Sequence, residues 1–427
     1  MNNKKLFVKI VFIALIVLLL FALVAPAIFS QTALPAPKRE NLLNGLKVLM
    51  WSDAKADKVT IQIRIHAGSA FDPQTKEGVM QLLADNIFPN EAAKEFFTDD
   101  LGGGLEIITN YDFIQVNASS KPEHFLAMLE TLSTAVSNPA IDKETTIRLR
   151  TALIAKVRTL EAEPAYIADQ AVARRLFGSF PYGRPQLGSE GSLKTIDFAD
   201  LLDAKQRFLT ADNATIAVSG NFDKALGFRA IRRYFGGWLK SDKRVPSTFR
   251  QPDEPLSELL RIPSPNPEKA AIRFAIRGVA RSDKAVAASM VFAKIMETRG
   301  KSRVPAEHSA DAFVRNEAYT LPGIVTIGFF VKHDYDGKEN GKIIGFDLRD
   351  LITENEFQAA KNAIIAEWGR KETAAFWLDA DTYKLADPVA YSRSAEMVTL
   401  ADVNAYAEKT RKVPVAAVLV STPPKSN

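Results

Sequence analysis

The alternation of apolar and polar residues divides the chain into two similar halves. Residues 59–65 and 271–277 each alternate, which predicts a half-buried strand. In each half a turn follows, and then apolar residues at helical spacing, in 76–87 and in 285–298. Longer helices are predicted at 143–162 and 353–370, and closing apolar strands at 214–219 and 415–420. The repeated order predicts an α+β fold of two homologous domains, each an antiparallel-rich sheet packed with helices.

A proline-rich segment separates the two halves. Between residues 245 and 267 prolines occur at positions 246, 252, 255, 263, 265 and 267. Proline lacks an amide hydrogen and fixes φ, so this segment is predicted to be neither helix nor central strand. We therefore predict an N-terminal domain at 42–245, a linker at 246–267 and a C-terminal domain at 268–422.

The first forty residues have the pattern of a targeting segment. Lys4, Lys5 and Lys9 precede an uncharged apolar run at 10–29, and Ala25-Pro-Ala27 offers a small-x-small cleavage pattern. The run is also long enough to span a bilayer, so residues 1–40 are interpreted as a signal peptide or a membrane anchor, plus a tether. In both cases the body is exported, to the periplasm or to the outer face of the inner membrane.

The amino-acid composition excludes several classes of protein and several kinds of functional site. Hydrophobic residues make up 47% of the chain and charged residues 25%, which excludes a largely disordered or polytopic membrane protein. The net charge of +5 is spread over 427 residues without a basic block, so no nucleic-acid partner is expected. The absence of cysteine excludes thiolate metal sites and a cysteine nucleophile.

Two segments carry a resemblance to a known family. Residues 67–78 read AGSAFDPQTKEG, and residues 180–188 read FPYGRPQLG. Together, at this separation, they resemble the insulinase (pitrilysin) family of zinc peptidases. The resemblance covers about residues 45–422 and implies the two-repeat half-clamshell that mitochondrial processing peptidases and the core subunits of the respiratory bc1 complex share.

The resemblance also locates the family's metal motif, His-x-x-Glu-His, in which two histidines on one helix face bind zinc and the glutamate activates water. In this chain the three positions hold Gln81, Ala84 and Asp85. The family's third ligand, a glutamate on a later helix, corresponds to Lys156. The resemblance therefore implies no catalytic residues, no bound zinc and no other cofactor.

A second-half arginine and tyrosine contact the substrate in this family. Arg315 and Tyr319 occupy roughly that region, although the family's spacing is not kept. Two interpretations stay open. The pair contacts substrate, or Arg315 is a surface residue and Tyr319 a half-buried one before the turn at Leu321.

We therefore expect a catalytically inactive homologue that acts as the non-catalytic partner subunit of an exported zinc peptidase. Its expected partners are a zinc-bearing homologous subunit and unfolded peptides. One alternative is a structural or scaffold protein of the cell envelope with the same fold. Another is a hydrolase whose active site has been relocated.

Overall fold

The structure, a computed structural model, describes residues 34–241, 249, 251–266, 268–304, 311–331 and 351–422. The predicted signal or anchor at 10–29 lies outside these residues, as does part of the predicted linker. No helix within the described ranges is long and apolar enough to cross a membrane.

The first half forms a six-stranded sheet in the order β1-β2-β6-β3-β5-β4. Neighbouring strands are antiparallel except for β2 and β6, which run parallel. The strands are β1 (Lys38–Asn41), β2 (Lys47–Ser52), β3 (Val59–Ile65), β4 (Gly104–Thr109), β5 (Ile114–Ser120) and β6 (Ala214–Gly220).

The second half forms a five-stranded sheet in the order β7-β11-β8-β10-β9, again with one parallel pair, β7 and β11. Its strands are β7 (Leu259–Pro263), β8 (Ala270–Arg277), β9 (Phe313–Glu317), β10 (Ile324–Val331) and β11 (Ala416–Ser421). From β2 onwards the first sheet has the same order and the same single parallel pair. The predicted fold of two homologous, antiparallel-rich units is confirmed.

The predicted linker is too long at its C-terminal end. Residues Leu259–Pro263 form β7, which pairs in parallel with β11 at the edge of the second sheet. Proline is tolerated there because an edge strand has amides that need no ladder partner, and Pro263 is the last residue of the strand. Proline content excluded a central strand but not this edge strand.

Helices cover both sheets. In the first half they are α1 (Val79–Asp85), α2 (Ala92–Glu95), α3 (Phe125–Ser137), α4 (Lys143–Glu161), α5 (Pro164–Phe177), α6 (Glu190–Thr195), α7 (Phe198–Phe208) and α8 (Lys224–Phe235), with a π-helical turn at Phe96–Asp100. In the second half they are α9 (Val286–Arg303), α10 (Glu354–Trp368), α11 (Thr373–Thr382), α12 (Pro388–Ser392), α13 (Ser394–Met397) and α14 (Leu400–Thr410).

Each sheet packs its own helices on one face and a helix of the other half on the opposite face. Ile61, Ile63 and Ile65 of β3 point into the first core together with residues of α1 and α3. Alternate side chains of β3 point the other way, and there α11 of the second half lies against β6. Reciprocally, α5 of the first half packs on β8 and β11 of the second sheet.

Buried ion pairs hold these exchanged helices. Arg64 of β3 donates from Nη1 to Oδ1 of Asp379 at 2.7 Å, and Arg281 donates from Nη2 to Oδ2 of the same carboxylate at 3.2 Å. On the other side Arg273 of β8 pairs with Asp169 of α5. Burial opposes ionisation of Asp379, but the charges of Arg64 and Arg281 hold the pKa of this carboxyl below its usual range.

His66 belongs to the same contact between the halves. Its ring nitrogens lie 3.0 Å from Oγ1 of Thr215 and 3.1 Å from Oγ1 of Thr382. Burial lowers the pKa of His66, although the neighbouring Asp381 carboxylate acts in the opposite direction. The imidazole therefore acts as a hydrogen-bonding bridge between the first sheet and α11.

We predict that Asp379→Ala destabilises the protein by about 3–5 kcal/mol, because it leaves Arg64 and Arg281 buried without their carboxylate. The measurement is the free energy of unfolding from denaturant melts. Glu91→Ala is the control, since Glu91 pairs with Lys94 on the exposed surface, and we expect it to cost less than about 0.5 kcal/mol. Equal losses in the two variants would contradict the role assigned to Asp379.

Candidate functional site

The helix that carries the degenerate motif, α1, is fixed at its N-terminus by a buried aspartate. Oδ2 of Asp72 accepts the amide of Gly78 at 2.8 Å, and Oδ1 accepts the amide of Met80 at 2.7 Å. These amides have no partner within the helix, so the carboxylate caps it. Burial raises the pKa of Asp72 to about 7, although the two amides and Arg184 act in the opposite direction.

The segments that carried the resemblance pack directly against each other at this point. Gly78 has a φ of +104°, which favours glycine, and a Cβ there would lie 2.9 Å from the carbonyl oxygen of Leu187. A Cβ on Gly188 would lie 2.2 Å from the carbonyl oxygen of Glu77. Arg184 also donates to the carbonyl oxygen of Asp72 at 3.0 Å. Residues 180–188 therefore support the start of α1.

Of the three motif positions, Gln81 and Asp85 lie on the partly exposed side of this helix and Ala84 lies on its buried side. Nε2 of Gln81 donates to Oδ1 of Asp85 at 2.8 Å, so the two side chains that replace the histidines bond to each other. Ala84, at the position of the general base, is fully buried. The Gln81 amide and the Asp85 carboxylate are thus bonded to each other, and Ala84 between them in sequence offers no acidic or basic group.

Lys156, at the position where the resemblance implies the third ligand, lies on α4. Helices α1 and α4 contact each other. Burial raises the pKa of Asp85, while the Gln81 hydrogen bond and the charges of Lys156 and Lys94 act in the opposite direction. A cation therefore acts on the one carboxylate of the motif positions, from the helix on which the resemblance implies the third ligand.

These residues do not fit a zinc ion. Catalytic zinc sites use three protein ligands and a water, whereas this site offers one carboxylate, one amide and a lysine. Elsewhere in the described part of the chain, no three histidine, aspartate or glutamate side chains lie close enough together to hold a metal. His308 and His333 lie outside the described residues. We derive no metal-dependent step for this chain.

Arg315 and Tyr319, the predicted substrate contacts, lie in different surroundings. Nη2 of Arg315 donates to Oδ2 of Asp169 on α5 at 2.8 Å, and its guanidinium lies over the ring of Phe313. Tyr319 is buried, and its hydroxyl donates to Glu317 at 3.1 Å. These contacts favour a structural role for both residues, and Tyr319 is more buried than the half-buried position expected of it.

Tyr319 belongs to a cluster that sequence reasoning missed. Its ring centroid lies 5.2 Å from that of Tyr111 and 4.8 Å from that of Tyr182. Asp112 accepts the Tyr182 hydroxyl at 3.2 Å and the amide of Thr320 at 3.1 Å, which joins the first half to the second. Burial raises the pKa of Asp112 to about 6. The sequence did carry one signal for this cluster. Tyr111 and Asp112 lie in the turn between β4 and β5, and the turn itself needs neither side chain.

Comparisons with known proteins agree with this geometry. The model of the insulinase family (peptidase family M16) matches residues 47–190, and the model of the peptidase M16 inactive domain matches residues 195–364. The Bacillus subtilis protein named uncharacterized zinc protease YmxG is 21% identical over 212 residues, which are 48% of this chain and 51% of that protein. The match thus spans about half the length of this curated relative.

Two solved structures share the fold. The peptidase M16 inactive domain from Pseudomonas fluorescens has a TM-score of 0.79 at 19% identity, over 92% of this chain and 98% of that one. The first half of the periplasmic protease PqqL from Escherichia coli has a TM-score of 0.66 at 14% identity, over 92% and 94%. The whole PqqL chain matches over 48% of its length.

The two-repeat fold and the altered motif helix define a peptidase-type chain without the residues of an inverted zinc motif. The chain belongs to the insulinase family, and the predicted resemblance is confirmed.

We predict a large loss of stability for one residue of α1 and a small loss for a residue two positions further on. Leu83 is fully buried, so Leu83→Ala should cost about 2–5 kcal/mol through the cavity it leaves. Asp85→Ala should cost at most about 0.5 kcal/mol near pH 7, because burial already disfavours the ionised carboxyl.

The pH dependence of Asp85→Ala provides a second criterion. With a folded-state pKa above its unfolded value of about 3.9, Asp85 contributes stability below that value and loses it as pH rises through the folded-state pKa. Denaturant melts near pH 4 and near pH 7 measure the effect. A larger loss near pH 7 than near pH 4 would contradict the environment described for Asp85.

We also predict that the unmodified chain holds no stoichiometric zinc. The triple change Gln81→His, Ala84→Glu and Asp85→His should create only a weak zinc site. Adding Lys156→Glu should then tighten zinc binding by more than about tenfold, since it replaces a repelling cation with a third ligand. Elemental analysis and competition with a chelating dye measure this. Lys94→Glu in the triple variant is the control, because it changes charge near Asp85 from a different helix. Equal gains from both changes would show that Lys156 is not at the ligand position.

Proposed function

We propose that this chain is a catalytically inactive partner subunit of an exported zinc peptidase and helps to enclose peptide substrates. The observation that carries the proposal is the state of α1. The helix is capped by Asp72, packs its buried residues in the core and is supported by residues 180–188. The positions that the resemblance assigns to the metal ligands nevertheless hold a bonded Gln81–Asp85 pair beside a lysine.

A second, homologous unit is the partner that this fold suggests. The whole PqqL chain is about twice as long as the part that this chain matches, and its first half alone has this fold. In our proposal two such units are separate chains, and the one with an intact His-x-x-Glu-His motif supplies the zinc chemistry. A non-catalytic subunit has no selection on its ligand positions, whereas it must keep the fold that its partner contacts.

Export is the second part of the proposal. The basic residues before the apolar run at 10–29 support it, and so does the fold shared with a protease described as periplasmic. We place the body of the protein in the periplasm or at the outer face of the inner membrane.

The test is affinity purification of the tagged chain from solubilised membranes. We expect a homologue with a His-x-x-Glu-His motif to co-purify, and peptidase activity to require that homologue and zinc. Asp85→Ala should leave the complex and its activity intact. Leu83→Ala should reduce both, because it disturbs the packing of α1.

Three results would contradict the proposal. Peptidase activity of the isolated chain would point to a relocated active site, as would loss of an activity in Asp85→Ala with the complex intact. Co-purification only with proteins that lack any peptidase motif would favour the envelope scaffold.

A further inference from the structure

The exposed face of α8 is basic and carries no acidic side chain. Arg229, Arg232 and Arg233 are exposed on one side of this helix, and Leu226 lies on the same side with 42% of its surface exposed. Within the described residues none of the three arginines has an ion-pair partner. We call Leu226, Arg229, Arg232 and Arg233 the basic helix face. Unpaired cations beside an exposed leucine are typical of helices that lie on anionic membranes.

Two turns at the C-terminal end of α8 each expose a leucine. Leu43 lies in the turn between β1 and β2 and is fully exposed, and Leu239 in the turn after α8 is 77% exposed. The turns contact each other, since Nδ2 of Asn44 donates to the carbonyl oxygens of Phe235 at 2.8 Å and Trp238 at 3.0 Å. Leu43 and Leu239 are therefore two strongly exposed apolar residues in neighbouring turns at the C-terminal end of the basic helix face.

The nearby acidic groups are already engaged. Oδ1 of Asp223 caps α8 by accepting the amide of Leu226, and Oδ1 of Asp212 accepts the amide of Ser241. Glu40 pairs with Lys38 at 3.2 Å. None of these carboxylates, nor Glu130, which accepts the Tyr234 hydroxyl at 3.4 Å, forms an ion pair with an arginine of the basic helix face within the described residues.

The position of β1 indicates what this surface meets. Strand β1 runs along α8, because Lys38 at its start lies over the ring of Phe228 and Asn44 beyond its end bonds to Phe235. In the sequence Lys38 follows the apolar run at 10–29 by nine residues. An extended chain of that length spans roughly 30 Å, so a membrane that holds the run is within reach of α8.

We propose that the basic helix face, with Leu43 and Leu239, rests on an anionic membrane surface. The arginines approach the lipid phosphates, and the two leucines enter the headgroup region. A nucleic acid would use the arginines but gives no reason for two strongly exposed leucines beside them. An acidic protein could bury the leucines, but it gives no reason for this surface to lie so close in the chain to the apolar run at 10–29. The inference uses the membrane location of the proposed function but not the partner role.

The absence of cysteine in the chain makes a direct test simple. Leu43→Cys, Leu239→Cys and Met397→Cys are made separately in the full chain, labelled with a polarity-sensitive fluorophore and reconstituted in nanodiscs. Met397 is the control because it is 73% exposed and lies in the second half. In nanodiscs of phosphatidylglycerol and phosphatidylcholine in equal parts, we expect a blue-shifted, brighter label at 43 and 239 but not at 397.

The second part of the experiment removes positive charge from the basic helix face. Arg232→Gln should lower the ratio of membrane-bound to free label roughly five-fold, and Arg229→Gln, Arg232→Gln and Arg233→Gln together should lower it much further, since each basic residue contributes separately. Lys409→Gln, an exposed change in the second half, should have no effect. Nanodiscs of phosphatidylcholine alone should give little signal.

Several outcomes would overturn the inference. Labels at 43 and 239 that behave like the label at 397 would place this surface in water, and if the protein still fractionates with membranes, only this inference fails. Burial of the two labels by a soluble co-purified protein or a nucleic acid, without lipid, would identify a different occupant. An unchanged signal in the triple arginine variant would exclude charge as the cause.

Discussion

The buried contact of Asp379 with Arg64 and Arg281 is the interaction on which the arrangement of the two halves depends. A carboxylate and two guanidiniums are costly to bury singly, so each is stable in this place only with the others. The contact requires α11 to lie on the outer face of the first sheet. The pair formed by Arg273 and Asp169 requires the same of α5 on the second sheet.

The contacts that hold α1 in place are separate from this exchange of helices. The helix α1 lies on the other face of the first sheet, and its N-terminus is held by Asp72 and by residues 180–188, none of which is a motif position. Gln81 and Asp85, which are partly exposed, therefore do not fix the position of α1, whereas Ala84 is buried in the core. The Tyr182–Asp112 contact, which joins the halves near Thr320, is likewise independent of the motif positions.

Local patterns predicted the strands and helices that recur in the same order in both halves. Alternation located β3 and β8, helical spacing located α4 and α10, and the resemblance located the altered motif, because each depends on residues close together in the sequence. Contacts between distant residues could not be predicted in this way. Arg64 and Asp379 are 315 residues apart, and neither neighbourhood carries a pattern that identifies the other.

Other features of the structure could not be predicted from the sequence, each for a different physical reason. Strand β7 was not predicted, because its prolines led the whole segment to be interpreted as a linker, although an edge strand tolerates proline at its end. Asp72 caps α1 from six and eight residues before the amides it accepts, outside the spacing of an ordinary cap. The basic face of α8 was obscured by a net charge that is small over the whole chain, since clustering on one helix face needs no excess in total charge.

Helix α11 lies in the second half of the sequence, but its stability depends on its packing against the first sheet. Native-state hydrogen exchange, read by mass spectrometry over a denaturant series, tests it directly. We expect the amides of α11 to open with the same free energy and the same denaturant dependence as those of β3 and β6. If α11 opens together with β10 and β9 while β3 and β6 remain protected, the exchanged helix does not hold the two halves together and the account is contradicted.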